Sequence, residues 1–184
     1  MKKVSRCFLI MAVTIFLLLL NNLTCLAQAA LDRSLDALAA RIVEAMDERA
    51  GSTSATEKTR IAVLDFPDLG GNVTSLGRFV AEELTTRLFL TKRFEVIERQ
   101  LLNKVLDELK LSASGFVDSS SAQELGNILG VSAVVSGTLS QLSSTVRVNA
   151  RVITTTTGMI VAAASVELPK DEGVTQLLET IVTP

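Results

Sequence analysis

Ile61-Ala62-Val63-Leu64-Asp65-Phe66 is the stretch that decides the fold. It is short and apolar, with Lys58 and Arg60 before it and the turn residues Pro67-Asp68-Leu69-Gly70-Gly71 after it. A β-favouring run of this length, stopped in this way, reads as a strand buried on both faces. Such strands sit mid-sheet with helices packed against them.

The segments downstream fit that reading. A helix is expected from Thr74 or Ser75 to about Leu90, burying Leu76, Phe79, Val80, Leu84 and Leu88. Phe94-Glu95-Val96-Ile97 reads as a second strand. Leu101 to about Leu111 reads as a helix opened by Glu98-Arg99-Gln100. Ser112 to Ser120 is a loop, and Ser121-Ala122-Gln123-Glu124 is a capping box for a helix that Gly130 stops. Ala133 to Leu139 is a strand. Val146, Val148, Ala150 and Val152 alternate with polar residues, as do Ile160, Ala162, Ala164, Val166 and Leu168, with Thr154 to Gly158 as the turn. That is a β-hairpin with one wet face. The sequence therefore predicts an α/β fold: a three-layer mixed sheet with packed helices and a C-terminal antiparallel hairpin, preceded by one amphipathic helix.

Upstream, Lys2, Lys3 and Arg6 precede the run Cys7 to Leu20, which is apolar apart from Thr14, and Ala27-Gln28-Ala29 supplies small residues at a cleavage site. This is the pattern of a secretory signal peptide over residues 1–29. The rivals are an uncleaved anchor, for which the run is short against the roughly 20 residues of a span, and lipidation at Cys25, where Thr24 and Asn22 depart from the usual small and aliphatic residues. Residues 30–50 form an amphipathic helix whose stripe is Leu31, Leu35, Leu38, Ile42 and Met46. It either packs on its own domain or docks a partner. Residues 51–59 read as a polar linker, which makes the helix an appendage. The α/β domain spans 60–170, and 171–184 is a tail with a short helix at Val174 to Val182.

Composition excludes whole classes of chemistry. The chain has no His, Trp or Tyr, and its two cysteines, Cys7 and Cys25, both lie in or beside the leader. Without imidazole or thiol there is no zinc, haem or iron–sulfur site to expect and no thiol nucleophile. Loss of residues 1–29 removes three of the 18 Lys and Arg and none of the 20 Asp and Glu, leaving a net charge of −5. An acidic chain without aromatic interleaving is not expected to bind nucleic acid. No enzyme, cofactor or metal is expected.

Asp65 and Asp68 flank the end of the first strand, where ligands of open α/β sheets bind. Gly70-Gly71 then lead to a helix amino terminus, which can hold an anion. A metal or phosphate site here competes with plain turn geometry. Glu98 suits the positive end of a helix dipole. Leu35, Leu38, Ile42, Phe116, Arg147 and Arg151 are the expected partner contacts: the helix stripe, an apolar residue in a polar loop, and the wet face of the hairpin.

Three stretches carry a resemblance. They are Phe94-Glu95-Val96-Ile97-Glu98-Arg99-Gln100, the run Leu129 to Thr138, and the hairpin closing on Thr157-Gly158. In order and spacing, residues 60–168 resemble the FlgO-like domain of the wider CsgG (curli production) group. The resemblance implies a fold like the TolB amino-terminal domain and like lipoprotein activators of penicillin-binding proteins. It implies a non-catalytic scaffold in the periplasm or at the outer membrane that binds protein partners or itself, in flagellum- or curli-type assembly. A regulator of a cell-wall synthase is the alternative. Pore formation is not expected. Only Ser140 to Thr145 separates two strands where CsgG-type channels insert a membrane hairpin, whose strands each need roughly 9–11 residues.

Overall fold

The computed structural model describes residues 28–49, 58–109 and 118–182. Residues 1–27 of the expected leader, including Cys25, most of the expected linker and Phe116 lie outside these residues, while Gln28 and Ala29 begin α1. Among the described residues no helix is long and apolar enough to cross a membrane.

The elements follow in chain order as α1 (residues 28–49), β1 (Thr59–Val63), α2 (Ser75–Leu90), β2 (Phe94–Val96), α3 (Arg99–Glu108), α4 (Ser119–Leu129), β3 (Ala133–Gln141), β4 (Thr145–Thr154), β5 (Ile160–Pro169) and α5 (Glu172–Glu179). The sheet order is β2-β1-β3-β4-β5. β1 pairs in parallel with β2 and β3, and β3-β4-β5 is an antiparallel meander.

The founding strand behaves as its composition requires. Ile61 and Val63 enter one core and Ala62 and Leu64 the other. Because side chains alternate along a strand, one apolar run serves two layers at once. On one face lie α1, α2 and α5, through residues such as Leu38, Leu84 and Val174. On the other lie α3 and α4, through Leu102, Val105 and Leu125. That second layer is narrow. It leaves Arg147, Arg151, Ser165 and Glu167 exposed on β4 and β5, while the alternate residues Val146, Val148, Val166 and Leu168 are buried.

Helix ends show where local signals decide. Thr74 caps α2, its side chain accepting from the Gly77 amide. Glu98 caps α3 by accepting from the Leu101 amide. For α4 the expected capping box is displaced: Asp118, not Ser121, is the cap, and its carboxylate accepts from the Ser121 amide. An aspartate three residues upstream competes well for that role. Gly130 ends α4 with a positive φ of 63°. α5 starts at Glu172, capped by Asp171, two residues earlier than expected.

The largest departure concerns α1. It is not an appendage. Leu31, Leu35, Leu38, Ala39 and Ile42 belong to the main core. Polar contacts fasten it as well: Arg87 of α2 pairs with Asp32 and Asp36, and Arg93 pairs with Asp47. A stripe of this length buried by its own sheet outweighs the polar linker that suggested independence. Leu35, Leu38 and Ile42, expected as partner contacts, are only 0–1% exposed and offer no surface.

Candidate interaction surfaces

The carboxyl ends of β1 and β3, with the loops beyond them, form the end of the sheet where a ligand site competed with plain turn geometry in the sequence. Asp65 lies there, half-buried, but two arginines hold it. Arg99 Nη2 donates to Asp65 Oδ1, and Arg78 Nε stands 3.8 Å from Oδ2. Arg99 Nε in turn lies 2.8 Å from Glu82. The Asp65 and Arg99 side chains are 11% and 12% exposed. Burial lowers the Arg99 pKa. Burial also pushes Glu82 up, with Glu98 adding to that and Arg78 opposing it. A metal at Asp65 would have to displace two guanidinium groups.

Asp68 has different partners. Its Oδ1 accepts from the Gly70 and Asn72 amides at 2.8 Å, and Asn72 Nδ2 donates to Oδ2 at 3.2 Å. The Gly71 amide donates to the Asp68 carbonyl at 3.1 Å. Burial pushes the Asp68 carboxyl up, but the hydrogen bonds from Asn72, Gly70 and Gly71 prevail and hold it below the usual carboxylate range. Of the two competing readings of this turn, the contacts favour turn geometry over a metal or phosphate site. The donors of the Gly70-Gly71 turn already serve Asp68, and the turn fixes the loop onto the sheet, where Leu139 N donates to the Pro67 carbonyl. Among the described residues, no three or more His, Cys, Asp or Glu side chains gather as a metal site would require.

Arg147 and Arg151 lie where the alternation placed them, exposed on the open face of β4. Arg147 Nη2 donates to Glu167 Oε1 at 2.7 Å across to β5. That bond holds the Glu167 carboxyl below its usual range, against a smaller desolvation effect. Sequence reasoning missed the Asp65–Arg99 pair. The partners stand 34 positions apart, and only the parallel pairing of β1 with β2 brings the start of α3 to the end of β1.

The sequence profile of the FlgO protein family matches residues 36–173 of the 184. The chain belongs to the FlgO protein family. The match begins inside α1 and ends in α5, so the family unit takes in part of the first helix, in keeping with its burial. No curated protein sequence matches the chain. Among solved structures, the LpoB C-terminal domain from Escherichia coli is similar with a TM-score of 0.58 and 14% identity, covering 76% of this chain and 98% of that one. The LpoB C-terminal domain from Salmonella enterica gives 0.56 and 16%, with the same coverage. The NMR structure of E. coli LpoB gives 0.56 and 14%, covering 75% of this chain and 68% of that one. At this identity the likeness is one of fold, and it bears out the mixed α/β architecture of this FlgO-family chain. These neighbours are LpoB domains rather than CsgG-type channels, so the CsgG and TolB grouping rests on the resemblance alone.

Proposed function

We propose that this FlgO-family chain is an exported, non-catalytic module of the cell envelope that regulates a cell-wall synthase by binding it. The observation that carries this is the fold: it covers 98% of the LpoB C-terminal domain, and the resemblance groups this architecture with lipoprotein activators of penicillin-binding proteins. Asp65, Asp68, Glu82 and Arg99 are engaged in contacts that hold the fold together. Appendage assembly, the first expectation, keeps only the family match in its favour. Curli export fits poorly, because β3 ends at Gln141 and β4 begins at Thr145, which leaves no room for membrane strands.

The test uses the exported chain with each bifunctional penicillin-binding protein of the same cell. Co-elution with one of them and faster glycan polymerisation are the expected results. If none is bound, and deleting the chain abolishes motility with the wall unchanged, appendage assembly takes its place.

A further inference from the structure

Ten arginines fall within the described residues, and six of them meet a carboxylate. Arg33, Arg41, Arg49 and Arg151 do not. Two of these four, Arg33 and Arg41, line one open groove of about 340 Å³ between α1 and the edge strand β5. The volume lies near the lower end of the roughly 300–1,000 Å³ typical of ligand clefts. Ala37 stands between the two arginines on the helix and Val166 lies on the strand, so no bulky polar side chain fills the floor.

The groove is built rather than incidental. β5 is an edge strand, and its outward carbonyls need partners. Ser34 Oγ donates to the Glu167 carbonyl at 3.0 Å, and Arg41 Nη1 donates to the Ser165 carbonyl. These bonds fix α1 beside the edge and prevent a sixth strand from pairing at these residues. They use one of the five donors of the Arg41 guanidinium. Glu167 also lines the groove, but its carboxylate is held by Arg147 on the open face of the sheet. Glu44 and Glu48, farther along α1, do not line the groove and mark where its cationic part ends.

We propose that the α1–β5 groove binds an extended acidic segment of a partner protein, with one carboxylate on Arg33 and another on Arg41. Charge complementarity carries the choice of occupant, because this is a cationic line on an otherwise acidic chain. Spacing sharpens it. Eight helical residues rise about 12 Å. In an extended peptide, same-face residues four apart lie about 13 Å from each other. Arginine forks recognise carboxylates in bidentate geometry, which favours fixed spacing over diffuse attraction. The segment lies over the arginines rather than in the strand ladder. The proposal rests on the reading of the chain as a protein-binding module and names a surface for it.

The test is fluorescence polarisation of the full exported chain with a labelled acetyl-Ser-Glu-Ser-Thr-Ser-Glu-Ser peptide at low salt, where exposed charges are least screened. Saturable binding is expected, weakened about tenfold by Arg33→Glu or Arg41→Glu and unchanged by Arg151→Glu. Moving the second Glu one position closer puts it on the opposite face and is expected to weaken binding as well. Thermal melts of the variants, whose side chains are exposed, check that the fold is kept, and Arg33→Gln serves if a reversal disturbs it. Absence of saturable binding, or equal loss in Arg151→Glu, overturns the proposal. So does tighter binding to phosphatidylglycerol vesicles than to peptide, lost in the same variants, which makes the groove a membrane contact. A chain that still binds and stimulates a synthase while the peptide fails overturns the groove and leaves the functional reading standing. Failure of both overturns both.

Discussion

The ring of Phe66 lies directly on Gly137, so that a Cβ at position 137 would overlap the ring and the carbonyl oxygen of Asn149. Phe66 ends the founding strand's run, and Gly137 sits in the middle of β3. The ring is fully buried and occupies the space that a side chain would take. Gly77 of α2 approaches the Phe66 carbonyl just as closely from the helix side. Strand, sheet and helix are thus set at a distance that two missing side chains permit.

Gly137→Ala is therefore expected to destabilise the fold by about 1–3 kcal/mol, the usual range for overpacking a filled core. A denaturant midpoint shift at unchanged slope would show it. A midpoint equal to that of the native chain would mean that the ring does not rest there.

The Asp65–Arg99 pair makes a second prediction. Removing one partner of a buried pair leaves the other charge without compensation, at about 3–5 kcal/mol. Arg99→Leu should approach that range, lessened because Arg78 stays near Asp65. The double variant Asp65→Leu/Arg99→Leu should be less damaging than the sum of the singles. Additivity in a double-mutant cycle would show that the two side chains do not act as a pair.

α1 should behave as core. Leu38→Ala is expected to cost about 2–5 kcal/mol, as for any fully buried leucine. Deleting residues 28–49 should uncover both the core and the β5 edge and lead to aggregation, measured by light scattering. A truncated chain that stays monomeric with an unchanged melt would restore the view of α1 as an independent docking helix.

The Asp68 turn should depend on pH. Its folded pKa is depressed, so the stabilisation is present above the unfolded value near 3.9 and is lost as pH falls through the folded value. The protection of the Gly70 and Asn72 amides, their exchange relative to the intrinsic rate at each pH, should fall only in that acidic window. Asp68→Asn should abolish the transition there. If this protection is the same on both sides of it, the carboxylate does not hold the turn.

Much of the fold was legible because its signals are local. The alternation of Val146 to Val152 against Arg147 and Arg151 fixed which face of the hairpin is wet, since side chains of a strand alternate by geometry alone. The apolar run from Ile61 announced a strand with two buried faces, and Thr74 and Gly130 marked helix ends through their own backbone and side-chain chemistry. The absence of His, and of Cys beyond position 25, removed imidazole and thiol chemistry before any fold was known. What the tertiary structure alone decided is long-range. A stripe of leucines on α1 announces burial but not the surface that buries it. Asp65 and Asp68 left a ligand site open beside turn geometry until Arg99, 34 residues away, and the local amides of the turn claimed them separately. Arg33 and Arg41 carried no sequence signal, because a groove exists only once a helix is laid beside a strand more than 120 residues further along the chain.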